Sequence, residues 1–243
     1  AGDFRFIDAA LPPLTSVTGA YPIDMNADGH TDLFVMRVGA NTILQGHGNC
    51  IFTDATTNLG IPPDNAWTTA FTAWWDGDAR PTLAIGNYVD RSDPNGPFEA
   101  CDKNAILIPT DTGYASQELS PSFCPLSILA ANDARGLPAL RFSNDRHYYV
   151  KDGYEQMWDI AERRFLGLAD GWNNVSLWGM GIASRDLTGD GRDEVMLTSM
   201  GDQLLQIAGN NGQYTAAPYN IGSYAQRPHV GDDGRPSTGW HAE

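Results

Sequence analysis

The chain has 243 residues, 42% of them hydrophobic, enough to bury a core and within the size range of a single all-β domain. Thirty acidic against 15 basic side chains leave a formal charge of −15, which excludes a nucleic-acid surface, because phosphates are neutralised by clustered Lys and Arg. No apolar run reaches the roughly 18 residues of a membrane-crossing helix, so no membrane span is expected, and the partners that the charge favours are cations.

Short apolar runs bounded by turn residues follow one another along the chain: Leu33-Phe34-Val35-Met36, Leu83-Ala84-Ile85, Ala105-Ile106-Leu107-Ile108 and Val195-Met196-Leu197. Runs of this length are strands, and no helical periodicity persists beyond about three turns, so the fold class is all-β. The first run is preceded by Asp24-Met-Asn-Ala-Asp-Gly-His-Thr-Asp32 and the last by Asp186-Leu-Thr-Gly-Asp-Gly-Arg-Asp-Glu194. Weaker copies run from Trp74 to Thr82 and from Ala131 to Ala139. The four starts, at 24, 74, 131 and 186, lie 50, 57 and 55 residues apart. A second echo, Phe6-Ile-Asp8-Ala and Phe52-Thr-Asp54-Ala, recurs after 46 residues. Such a unit holds four short strands, the size of a β-propeller blade. The chain is therefore expected to be one domain over 1–243, a partial β-propeller of about four blades. Its repeat units start near 6, 52, 101 and 150, with a further unit begun near 205.

Calcium takes 6 to 8 oxygens, so a loop that binds it must aim carboxylates and carbonyls inward at alternating positions. In the first loop Asp24, Asn26 and Asp28 supply side-chain oxygens at positions 1, 3 and 5, the His30 carbonyl serves at 7, and Asp32 closes the shell at 9. In the second the same roles fall to Asp186, Thr188, Asp190, the Arg192 carbonyl and Glu194. Gly29 and Gly191 permit the sharp turn. An EF-hand would need Glu at position 12, where this chain has Val35 and Leu197, so the ion is placed in a strand-to-strand turn. The alternative is a run of Asx-turns without metal. Two Ca2+ sites are expected, and none in the degenerate copies, where Arg135 occupies the position of Asp28 and Asp190 and can fill the gap with its own charge.

Outside these loops the densest polar cluster is Ser143-Asn-Asp-Arg-His147-Tyr-Tyr149, in which Asp145 and His147 form a candidate acid/base pair, joined by His241 beside Trp240 if a central channel brings them together. A locally bonded strand and turn explains the same residues. The seven tryptophans are expected to fill wedges between blades, with sugar stacking as the other use of Trp74-Trp75 and Trp172 to Trp178. Cys101 and Cys124 bracket a Pro- and Ser-rich loop that a disulfide can staple, which leaves Cys50 as a buried small apolar residue. Asn174-Val-Ser176 is a glycosylation sequon, meaningful in a eukaryotic secretory pathway.

Asp-x-Asn-x-Asp-Gly-x-x-Asp followed by Leu-Phe-Val resembles the FG-GAP or VCBS repeat of integrin α propellers and bacterial exported proteins. Phe52-Thr-Asp-Ala-Thr, Gly86-Asn87-Tyr88 and Trp178-Gly-Met-Gly-Ile-Ala narrow the resemblance to the cartilage acidic protein family, whose members often carry an ASPIC/UnbV segment. That resemblance implies a calcium-bearing propeller, usually of seven blades, outside the cytoplasm, in a periplasmic or secreted setting. No ASPIC/UnbV-like segment is visible, and Gly239-Trp-His-Ala-Glu243 is similar to the stretch that in the family leads into another calcium loop. A second polypeptide or a C-terminal remainder is accordingly expected to complete the ring. The function expected is a binding or assembly module for protein or carbohydrate. The alternative is an enzyme with a site in the central channel.

Overall fold

The computed structural model describes residues 8–95, 99–145, 153–200, 203–222 and 239–242. They build four antiparallel sheets of four strands, each wound in chain order. The first is β1 (Val17–Ile23), β2 (Asp32–Arg37), β3 (Thr42–Gly46) and β4 (Phe52–Asp54); the second is β5 (Thr68–Trp74), β6 (Thr82–Asn87), β7 (Asn104–Thr110) and β8 (Gly113–Leu119). The third is β9 (Pro125–Asn132), β10 (Pro138–Asn144), β11 (Gln156–Asp159) and β12 (Arg164–Phe165); the fourth is β13 (Gly179–Arg185), β14 (Glu194–Ser199), β15 (Leu204–Ala208) and β16 (Tyr214–Ala216). The only helices among the described residues are single 3-10 turns at Leu168–Asp170 and Tyr219–Ile221. The repeat start near 52 thus falls on β4, the outer strand of the first sheet.

Each sheet packs on the next through its first two strands, and the apolar runs read from the sequence supply the contact. Phe34, Met36, Ile43, Phe71, Leu83 and Ile85 fill the wedge between the first and second sheets. Ala84, Ile106, Ile128, Leu140, Phe142 and Trp158 fill the next, and Met157, Ile182, Val195, Leu197 and Tyr214 the third. The second strands of the first three sheets are buried on both faces, so their middles read as apolar runs rather than alternating, broken only by the buried Arg141 in β10. The result is an all-β, open β-propeller of four blades.

The register shows where the arc is left uncovered. The cross-strand pairs Phe34–Ile43, Ala84–Ile106, Arg141–Met157 and Met196–Leu205 hold the same place in the four sheets. The first three are buried against the following sheet; Met196 and Leu205 are only half-buried. Leu187, in the turn before β14, is 61% exposed, whereas its counterpart Met25 is fully buried.

Cys101 and Cys124 are bonded, with Cα atoms 5.0 Å apart, and tie the lead-in of β7 to that of β9. Cys50 corrects an expectation. It is exposed in the β3–β4 turn, where Asn49 and Cys50 both take left-handed backbone (φ 52° and 59°), a conformation that belongs to a surface turn and not to a core strand. The tryptophans divide: Trp158 and Trp172 are buried in wedges, while Trp75 and Trp240 are 54% and 69% exposed.

At the far end of each second strand a side chain from the start of the third strand accepts the last backbone N–H. Arg37 N donates to Asn41 Oδ1 (3.0 Å), Asn87 N to Asn104 Oδ1 (2.9 Å), Asn144 N to Glu155 Oε1 (3.2 Å) and Ser199 N to Gln203 Oε1 (3.1 Å). Three of the four acceptors are carboxamides. The fourth, Glu155, is 1% exposed, and burial pushes its carboxyl well above the usual carboxylate range. The folded chain then holds a proton that the unfolded chain has released above pH 4.5, so stability falls as pH rises from there towards the pKa of the folded state. Glu155→Gln restores the carboxamide of the other sheets. Melting curves between pH 4 and pH 8 should show the variant losing less stability than the wild type as pH rises, with no difference, or one of opposite sign, counting against the buried neutral acid.

Candidate metal-binding loops

All four Asp-rich segments are hairpins joining the first strand of a sheet to its second. Ile23 pairs with Asp32 and Arg185 with Glu194, so the two intact loops are residues 24–31 and 186–193, equal in length. Trp74 pairs with Thr82 and leaves only 75–81; Ala131 pairs with Ala139 and Asn132 with Pro138, which leaves 133–137. Trp74 and Ala131 are therefore strand residues and not the first positions of turns. The degenerate copies are shorter as well as poorer in carboxylates.

The intact loops share a backbone. Positions 4 and 6 are left-handed in both, at Ala27 (φ 62°) and Gly29 (φ 81°) and at Gly189 (φ 76°) and Gly191 (φ 83°). Position 1 accepts backbone N–H groups from within the turn: Asp24 from Ala27 (2.8 Å) and Gly29 (2.9 Å), Asp186 from Gly189 (2.6 Å), Asp190 (3.1 Å) and Gly191 (2.9 Å). Asn26 Oδ1 accepts from Asp28 N (3.1 Å), and Asp28 Oδ1 from His30 N (2.8 Å). The His30 amide and the Asn26 side chain hold the Asp28 carboxyl below its ordinary pKa, and the Gly191 amide does the same for Asp186.

Position 9 is built differently. Asp32 is fully buried, and its two oxygens are split between the loop and the third strand: Met25 N donates to Oδ2 (2.9 Å) and Gly46 N to Oδ1 (2.8 Å). Glu194, 1% exposed, repeats this with Leu187 N (2.7 Å) and Thr188 N (3.1 Å) on Oε2 and Ala208 N (3.4 Å) on Oε1. Burial raises the pKa of Asp32, and the charges of Asp28 and Asp24 add to the rise while the Gly46 and Met25 amides oppose it. In the sequence Asp32 and Glu194 are the last members of an acidic run; in the fold they are its buried anchors. The apolar Met25 at position 2 was the available signal that the first turn begins against a wedge.

By chemical type the donors are those calcium takes: every candidate ligand in the first loop is oxygen, and each carboxylate oxygen that accepts one N–H keeps a second lone pair. Asp24, Asn26, Asp28, the His30 carbonyl and Asp32 would hold the ion there; Asp186, Thr188, Asp190, the Arg192 carbonyl and Glu194 would do so in the second loop. The two loops are not equivalent: Arg192 Nη2 lies 2.5 Å from Asp190 Oδ2 and also contacts Asn210, so a guanidinium competes for that carboxylate. Among the described residues no three His, Cys, Asp or Glu side chains are gathered at metal-holding distance; the carboxylates face their own backbone. In the third hairpin Arg135 reaches Asp133 (2.6 Å) and Asp159 (3.2 Å), its charge matched by two carboxylates.

Of the candidate channel residues, Asp145 is 6% exposed at the end of β10 and accepts a hydrogen bond from Tyr88 of the second sheet. His241 lies beside Trp240 against Gly181 of β13, where an added β-carbon would stand 3.1 Å from the Trp240 oxygen. His147 lies outside the described residues.

No protein-family model and no curated protein matches the chain. Among solved structures it is similar to BBS1N in its complex with ARL6DN soaked with lead, at 13% identity over 87% of this chain and 58% of that one, with a TM-score of 0.54. The same complex soaked with mercury gives 12% identity, 87% and 56% coverage, and a TM-score of 0.52. An Agrocybe aegerita lectin that recognises non-reducing terminal N-acetylglucosamine is matched at 12% identity over 84% and 67% of the two chains, with a TM-score of 0.37, too low to support an argument. The chain therefore spans under two thirds of the BBS1N chains it matches. At such identity the likeness shows the β-propeller fold alone.

Proposed function

We propose that this chain is the calcium-stabilised part of an extracytoplasmic β-propeller of the FG-GAP/VCBS type that serves as a binding or assembly module. The observation that carries the calcium reading is the matched pair of hairpins: equal length, left-handed backbone at the same two positions, and a buried carboxylate closing each. Asx-turns alone call for neither equal length nor a buried acid. The Cys101–Cys124 bond supports a setting outside the reducing cytoplasm. The assembly reading is supported by the half-covered Met196, Leu205 and exposed Leu187, a face that the first three sheets bury against a neighbour. A further blade, from this polypeptide or another, is its occupant. BBS1N, of like fold, is itself held in a complex with ARL6DN.

Calorimetric titration with Ca2+ tests the metal reading directly. The expected result is two equivalents, the weaker lost in Asp186→Ala and the tighter in Asp24→Ala, because Arg192 competes only in the second loop. Zero equivalents, or two equivalents that survive both substitutions, would remove it.

A further inference from the structure

A pocket of about 580 Å³, open to solvent, lies between the first and second sheets at the end of the strands away from the Asp-rich hairpins, walled by the 61–66 connection on one side and by β6, β7 and β8 on the other. Its volume lies in the range of small-molecule sites. Ile61, Ile85 and Leu107 give it an apolar floor, and Asp64, Asp90 and Asp102 line the rim together with Arg91, whose guanidinium donates to the Asn65 carbonyl. Burial raises the pKa of Asp64 and of Asp102; Asp102 adds to the rise at Asp64 and Asp90 to that at Asp102, which the charges of Lys103 and Arg91 partly offset. Lys103, the nearest ammonium, is bonded to Glu118 at 2.8 Å.

Acidic residues alone would make no site. The second observation is Asn104, which lines the cavity and is 1% exposed. Its Oδ1 accepts the Asn87 amide, and its Nδ2 has no acceptor in the protein. A buried donor without a partner carries a desolvation cost that an acceptor in the adjoining cavity would remove. The ligand must therefore both donate to carboxylates and accept from an amide, while laying an apolar face on aliphatic side chains. An ammonium can only donate. Hydroxyl groups on a carbon ring do both, and the ring C–H face supplies the rest.

We infer that this cavity is a saccharide-binding site, with sugar hydroxyls donating to Asp64 and Asp102 and accepting from Asn104 Nδ2. It names the ligand class of the binding module proposed above and rests on that reading, but it owes nothing to the calcium loops. The sequence conceals it, because its polar groups come from separate turns that only the 61–66 connection brings together.

The test is ligand-observed NMR on the calcium-loaded chain with glucose, galactose, mannose, N-acetylglucosamine and, as the cationic comparison, spermidine. At least one sugar should show saturable binding that weakens tenfold or more in Asp64→Ala. Ser116→Trp, an exposed β8 position on the cavity wall, should abolish it. Both variants should keep the wild-type melting temperature and calcium stoichiometry. Sugar binding that survives Ser116→Trp would remove this site and leave the binding-module reading standing. Saturation by spermidine alone, or by none of the five, would overturn the saccharide assignment while the calcium titration still judges the loops.

Discussion

Chelating calcium should lower the melting temperature by about 5–10 °C for each loop that was filled. An ion that binds only the folded state at 100 times its dissociation constant contributes about 2.7 kcal/mol, and each kcal/mol shifts the midpoint of a chain of this size by about 2–4 °C. The effect should vanish in the double variant Asp24→Ala, Asp186→Ala, whose melting curve with calcium should overlay the wild-type curve in chelator. Both substitutions fall in exposed turns, where water replaces the lost acceptor, so neither should cost the metal-free protein much. A melting curve indifferent to chelator would leave the two hairpins as Asx-turns and nothing more.

Asp32→Ala should behave otherwise. It strips the acceptor from two backbone N–H groups, of Met25 and Gly46, beside a fully buried side chain. Orphaning each costs about 1–3 kcal/mol, so a loss of about 2–6 kcal/mol is expected already in chelator, with the calcium contribution added when the ion is present. Glu194→Ala should act in the same way through Leu187, Thr188 and Ala208. Denaturant titrations of Asp24→Ala and Asp32→Ala, each with and without calcium, separate the two roles. A cost for Asp32→Ala confined to the calcium-loaded protein would mean that position 9 does not anchor the turn and acts as a ligand alone.

What was legible in the sequence was local. Short apolar runs between turn residues became strands, and the spacing of Asp24, Asn26, Asp28 and Asp32 found a hairpin because all of its residues lie within one turn. The same nine-residue frame misplaced Trp74 and Ala131, which pair across strands, because register sets the length of a turn and composition does not reveal it. Cys50 was read as core from the habits of its residue type; its left-handed turn has no such signature. The end-of-strand acceptors Asn41, Asn104, Glu155 and Gln203 escaped notice for another reason. Each lies 4 to 17 residues from the amide it serves (Arg37 to Asn41, Asn87 to Asn104), so no fixed spacing joins them. The proposed saccharide cavity depends on one of those residues, Asn104, and shared its obscurity.

The two ends of the second strands follow different rules, and divergence between blades obeys them. From Asp32 to Arg37 is about 17 Å of extended chain. At one end a hairpin in water was shortened twice, in the second and third sheets, and the wedges beneath remained filled. At the other end all four sheets keep an acceptor for the last amide of the second strand, whether Asn, Glu or Gln supplies it. A blade of this molecule can lose the carboxylates of its hairpin and still stack on its neighbour, while every second strand keeps its last amide paired; the Asp-rich turn is free to vary from sheet to sheet within one unchanged scaffold.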